Sequence, residues 1–189
     1  MINLKPLLLS LLIILSACKR TVSERNTSPH SNVEENIIGS EAEKDDENLP
    51  SGKIALKGKI MCIVDGDKAE LLYKGEFPLM IRFEHIDAPE KRGSQAYGNK
   101  AKRILSDLCF GQEVTLITDG EFDMGGRIIG ELINEEGVNV NKEMVRLGYA
   151  WHYKKYSDDI SYDKLEKEAR NNKRGLWQEP NPIAPWDFR

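Results

Sequence analysis

The stretch Ile81 to Glu90, I-R-F-E-H-I-D-A-P-E, constrains this chain most, because it sets a cation, acids and a chain break against one another. Arg82 lies in an apolar run (Phe77, Leu79, Ile81, Phe83) that predicts a strand over residues 77–86. Residues five apart on a continuous strand point to opposite faces, so Arg82 and Asp87 can meet only if the strand stops between them. Pro89 is the expected stop, since it donates no backbone hydrogen bond and holds Ala88 extended. Asp87 and Glu90 are then expected on a loop at a strand end, beside a guanidinium.

Two more fragments carry matching chemistry. Ile63-Val64-Asp65-Gly66-Asp67 ends an apolar strand in an acidic turn, and Asp123-Met124-Gly125-Gly126-Arg127 places a second arginine just before the strand Ile128 to Ile133. Carboxylates suit a hard cation such as Ca2+, which takes roughly six to eight oxygens. Two arginines suit a phosphate, whose oxygens a planar guanidinium meets in pairs. Taken singly, each piece has an ordinary reading: Asp and Gly are common turn formers, an acid after proline is commonly solvated, and an arginine at a strand start is commonly a surface charge. Together they are the parts of a phosphodiester hydrolase.

At this point the chain resembles the staphylococcal nuclease (thermonuclease) family. The matching pieces are D-G-D at 65–67, R-F-E-H-I-D-A-P-E at 82–90, Y-G at 97–98, G-R at 126–127 and G-Y-A-W at 148–151, in the family's order and at similar spacing, from about residue 53 to 177. The resemblance implies that Asp67, Asp87 and the backbone carbonyl of Ala88 bind Ca2+, with Glu90 beside it. It implies that Glu90 positions or deprotonates the attacking water, and that Arg82 and Arg127 clamp the scissile phosphate. The 5′-oxygen would leave, giving 3′-phosphorylated products from DNA and RNA. Tyr156, or else Tyr153, falls where the family contacts nucleotide. There are departures: Ala88 stands for the usual Thr, Met124-Gly125 for Lys-Tyr before the Gly-Arg pair, and Lys68 for the Thr after D-G-D. The second removes a cation and an aromatic, which bears on substrate affinity and base preference rather than on the chemistry. For the third no consequence can be derived from sequence. Asp65 is expected to act as a turn former only.

Strands are predicted at 54–64, 69–73, 77–86, 114–118 and 128–133. Helices follow from the apolar spacing of Ala101, Ile104, Leu105 and Leu108, of Val140, Met144 and Leu147, and of Tyr162, Leu165 and Ala169. Five strands carrying about three helices make an α+β, mainly β fold consistent with a small closed barrel; the family resemblance implies an OB-fold barrel. The tail from Pro180 to Trp186 holds too much proline for helix or central strand, and is expected to wrap the domain, pinned by Trp177 and Trp186.

Residues 1–17 read as a signal peptide, with an apolar run from Leu7 to Leu15 too short to span a bilayer. Leu15-Ser16-Ala17-Cys18 resembles a bacterial lipobox, which would leave Cys18 lipid-modified and the protein exported and anchored to a membrane, at the outer membrane or cell surface; the alternative is an ordinary signal peptide cut nearby. Residues 18–50 read as a disordered linker, and 51–189 as one domain. The formal net charge of −4 resides in the linker, whose four Lys/Arg face eight Asp/Glu. A near-neutral domain suits an enzyme that recruits a cation better than a tight, sequence-independent DNA binder. The rival class is a non-catalytic module holding single-stranded nucleic acid, which needs a basic groove with stacking aromatics and no carboxylate cluster. No protein partner is inferred, and the protein is expected to be a monomer. His85 and His152 have no zinc-like spacing, and a Cys62–Cys109 bridge is not expected.

Overall fold

The computed structural model describes residues 49–189. The expected signal peptide, the lipobox cysteine Cys18 and the linker up to residue 48 lie outside the described residues. Strand β1, Ile54–Asp65, is long enough to serve two partners. Ile54 to Lys59 pair antiparallel with β5, Glu113–Thr118, while Gly58 to Asp65 pair antiparallel with β2, Lys68–Tyr73. Register shifts after Ile60 and after Ile63 increase its coiling, so that Ile60 and Ile63 both point inward. Strand β3, Phe77–Phe83, adds antiparallel to β2, and β6, Ile128–Ile133, lies parallel to β3 and antiparallel to β5. The ring β1-β2-β3-β6-β5 is therefore closed. The expected five-strand barrel of OB type is what the chain forms, as an α+β fold.

Helix α1, Gly98–Cys109, buries Ala101, Leu105 and Cys109 at four-residue spacing against β1 and supplies the crossover that a parallel β3/β6 pair requires. Helix α2, Val140–Arg146, starts where the Asn139 side chain accepts the Lys142 amide, and α3, Ile160–Asn171, where Asp159 accepts the Ser161 amide. Inward residues of the barrel, among them Leu71, Ile81, Phe83, Leu116 and Leu132, form one core with α1 and α2. A second cluster joins Trp151, Ala169, Leu176, Trp177 and Ala184, with the Arg170 guanidinium 3.7 Å from the Trp177 ring. Cys62 is exposed and Cys109 buried, and both are free; burial pushes the Cys109 thiol up to about 12.

Two expectations change. β3 ends at Phe83 rather than continuing to residue 86, and Pro89 is not what ends it. The Glu84 amide makes the last bond of the β3–β6 ladder, to the Gly130 carbonyl, and His85 then adopts a left-handed φ of 67°. Ile86–Asp87 then form a separate short strand, β4, paired with β7, Trp151–His152. The tail is also not free of helix: Pro185–Phe188 form the short helix α4, after a 3-10 turn at Gly175–Gln178 that precedes the tail. Proline sits in the first turn of α4, where its missing amide is not needed. The tail is pinned as expected, Trp177 being buried and the Trp186 ring stacked 5.2 Å from that of Tyr153.

Candidate active site

The D-G-D turn joins β1 to β2, and its glycine decides where it can lie. A Cβ on Gly66 would stand 2.7 Å from the Ala101 Cβ and 2.8 Å from the Ala88 Cβ, so only glycine lets the turn sit between α1 and the residue-88 loop. A Cβ on Gly98 would be 2.4 Å from the Glu90 carbonyl oxygen, so the first turn of α1 can rest on the Glu90 backbone for the same reason. Asp65 Oδ1 accepts the amides of Gly66 (3.0 Å) and Lys91 (3.2 Å), shaping the turn and tying it to the loop that carries Glu90.

Asp67 and Asp87 are both fully buried at 0% exposure. Asp67 Oδ2 accepts the Ala88 amide (3.3 Å) and lies 3.3 Å from Arg82 Nη2, and its Oδ1 is 2.7 Å from Lys68 Nζ. Arg82 Nη1 donates to the carbonyls of Phe83 (2.7 Å) and Ile86 (2.8 Å), and Nη2 to Asp87 Oδ1 (3.2 Å). The guanidinium thus fastens the turn that ends β3 and brings together the residues 82 and 87 that a continuous strand would separate. Asp87 Oδ2 is also ion-paired with Arg189, whose Nη1 lies 3.1 Å from Glu90 Oε1. Lys68 Nζ completes the cluster, 3.7 Å from Glu90 Oε1 and 3.8 Å from Asp65 Oδ2.

These neighbours push the acids apart in proton affinity. Burial would raise Asp67, but Arg82, Lys68 and the Ala88 amide outweigh it and hold the carboxyl down to about 2. Asp87 moves the other way, raised by burial and then by the Asp67 charge against the pull of Arg82 and Arg189. Burial also raises Glu90; Lys68 opposes this, while the Asp67 and Asp65 charges reinforce it. Carboxylates sharing a site divide in this way because they resist ionising together.

Arg127 is held separately. Its Nε and Nη2 lie 2.7 and 2.5 Å from Asp123 Oδ2, while Asp123 Oδ1 accepts the amides of Gly125 (2.8 Å) and Arg127 (3.1 Å). Arg127 directly precedes β6, whose Ile129 is the parallel Cα partner of Arg82. Tyr153 and Tyr156 lie at the rim. The Tyr153 amide bonds the His85 carbonyl at 2.8 Å, its ring meets that of Tyr156 edge-on at 5.0 Å, and Tyr156 is exposed.

A family model described as staphylococcal nuclease homologue matches residues 80–179. The chain belongs to the staphylococcal nuclease family. It is 39% identical over 134 residues to an "uncharacterized endonuclease" of Escherichia coli, covering 71% of this chain and 85% of that one. An "uncharacterized endonuclease" of Haemophilus influenzae is 36% identical over 192 residues, covering 100% and 87%. A "micrococcal nuclease" of Shigella flexneri is 36% identical over 143 residues, covering 70% and 80%.

For this staphylococcal nuclease family member, the structure brings Asp67, Asp87, Ala88, Glu90 and Arg82 into one cluster, while Arg127 is held by Asp123 just before β6 and the two tyrosines stand outside the cluster. Sequence reasoning missed three participants. Lys68 was visible as a cation abutting D-G-D, but its contact with Glu90 depends on the fold. Asp123 could have been found as an acid four residues before Arg127, in a Gly-rich turn. Arg189 gave no signal, since it reaches Asp87 from 102 residues away. The histidines also prove to be joined: the Ser157 hydroxyl lies 2.9 Å from both His85 Nδ1 and His152 Nε2.

Proposed function

We propose that this chain is a Ca2+-dependent nuclease that hydrolyses phosphodiester bonds of DNA and RNA with little sequence specificity and leaves 3′-phosphorylated products. Family membership supports the nuclease activity. The observation that carries the finer reading is the meeting of two buried carboxylates, Asp67 and Asp87, with Glu90 and the Arg82 guanidinium at one end of the barrel. The fit to a hard cation rests on the donor set, which is all oxygen, and on a cation that is already held there: the Lys68 ammonium lies against Asp65, Asp67 and Glu90. Asp67, Asp87 and the Ala88 carbonyl would hold Ca2+, with Glu90 beside it. Bound there, Ca2+ would polarise the phosphoryl group and screen its negative charge.

Glu90 sits at the edge of the cluster, with its side chain 15% exposed, where it can meet a water that the buried Asp67 and Asp87 cannot. It takes the proton as the water oxygen bonds to phosphorus, and the bond from phosphorus to the 5′-oxygen breaks, that oxygen taking a proton from solvent to leave as a hydroxyl. Arg82 and Arg127 stabilise the charge that develops on the phosphoryl oxygens. The Leu15-Ser16-Ala17-Cys18 sequence supports an exported, lipid-anchored form of this enzyme.

The test is digestion of single-stranded DNA by the purified chain in Ca2+ and in chelator, with Glu90→Gln alongside. Cleavage that needs Ca2+ and collapses in the variant is the expected result. Binding without cleavage in every condition would transfer the protein to the non-catalytic single-strand-binding class.

A further inference from the structure

We propose that Lys68 is a tethered counter-ion of the acidic site, one that holds the metal-free site together and lowers its affinity for Ca2+. The inference rests on the Ca2+ reading above. Its first support is position. The Lys68 side chain is only 13% exposed, and its ammonium lies 2.7 Å from Asp67 Oδ1, 3.7 Å from Glu90 Oε1 and 3.8 Å from Asp65 Oδ2. Those carboxylates include two of the four residues assigned to the metal. Among the described residues no three His, Cys, Asp or Glu side chains are arranged around one point as metal ligands. The acids are turned instead onto Lys68, Arg82 and Arg189.

The second support is the register. Lys68 and Arg82 are directly opposed Cα partners across β2 and β3. Like charges placed opposite one another destabilise a sheet. Here the Asp67 carboxylate lies against both, with one oxygen 2.7 Å from Lys68 Nζ and the other 3.3 Å from Arg82 Nη2. Removing the lysine leaves Asp65 and Glu90 without that cation, and the metal-free protein then bears the repulsion among its acids.

A divalent cation entering the cluster meets the ammonium within a few ångströms, at partly buried carboxylates where solvent screens weakly. Lysine has a flexible four-carbon stem and can swing its charge into water. The cost therefore falls on affinity and does not close the site. Lys68 in this account sets the Ca2+ concentration at which the site fills.

The experiment compares the full chain with Lys68→Met, which keeps the stem and removes the charge, with the smaller neutral Lys68→Thr, and with Lys68→Arg, which keeps the charge. Ca2+ affinity is read by titration calorimetry, and thermal stability in chelator and in saturating Ca2+. Both neutral variants should bind Ca2+ about tenfold more tightly or better and melt lower in chelator, with the deficit recovered in Ca2+, while Lys68→Arg stays near the parent. If a neutral variant is unfolded in chelator, Ca2+ should refold it, read by circular dichroism; failure to refold overturns the proposal. Unchanged or weaker Ca2+ binding by both neutral variants, with the parent binding normally, overturns the proposal and leaves the Ca2+ reading standing. Absence of Ca2+ binding in every protein overturns both.

Discussion

Asn141 offers a sharp test of how the barrel holds in place the end that carries the acidic cluster. This residue is buried in α2, and its carboxamide serves three backbone groups: Oδ1 accepts the Leu132 amide at 3.0 Å, while Nδ2 donates to the carbonyls of Glu84 (3.0 Å) and Gly130 (3.1 Å). It therefore joins the turn after Arg82 to the strand after Arg127. Asn141→Ala removes all three bonds. The Gly130 carbonyl keeps the Glu84 amide at 2.9 Å, but the Leu132 amide and the Glu84 carbonyl lose the side-chain partner they have. A buried backbone group left unsatisfied costs about 1–3 kcal/mol, and the part-buried Glu84 carbonyl falls at the low end of that range, so the two should cost about 3 kcal/mol together. For a domain of this size that corresponds to a fall in Tm of roughly 9–15 °C. Differential scanning calorimetry at neutral pH would measure it. Asn141→Asp should do worse, since it keeps an acceptor facing Leu132 and turns a second acceptor toward two carbonyls. A fall of less than about 3 °C for Asn141→Ala would refute the argument that these bonds are buried and irreplaceable.

Arg127→Ala should lower kcat on single-stranded DNA by about a hundredfold or more with the fold intact by circular dichroism; normal turnover would remove Arg127 from the mechanism. Asp123 yields a pH prediction. Its carboxyl is held below the ordinary value: burial opposes the shift, and hydrogen bonds from Arg127 and Gly125 outweigh burial. The folded state thus binds protons more weakly than the unfolded state, so the stabilisation is present above the usual aspartate value of about 4 and is lost as pH falls through the lower folded value. Urea melts from pH 7 to pH 3 should show Asp123→Asn losing less stability over the acid limb than the parent, and parallel curves would contradict the assignment.

The parts of this molecule governed by local rules were legible in the sequence. The alternation of Ile128 to Ile133 becomes a strand with every second residue buried, and the spacing of Ala101 and Leu105 becomes the buried face of α1. The meeting of Arg82 with Asp87 and Glu90 could be anticipated because a break in the strand between them removes its alternation, whereas Asp67 beside them was implied by the family resemblance. The end of β3 was misplaced because proline is a loud signal, whereas a histidine adopting positive φ under tertiary hydrogen bonds is a silent one. Lys68 has its reach fixed by the β2 register, and Arg189 by a tail that returns across the domain. Both depend on long-range geometry, which no window of sequence reports. The helix at Pro185 was missed because proline was weighed as a breaker and not as a first-turn residue.

Closure of the barrel has a consequence for the order in which the molecule can be made. Strands β1 to β3 pair through short turns and can assemble as soon as they leave the ribosome, but their outer partners come later: Ile54 pairs with Thr118, and Ile81 with Ile128. Until residue 133 has emerged, the growing sheet therefore keeps an unpaired edge at either side, first β1 and β3 and then β5 and β3, the kind of surface through which nascent chains associate with one another. Non-local pairings of this kind also slow folding. A chain stopped before β6 should accumulate as aggregate, whereas one stopped just after it can already close the ring.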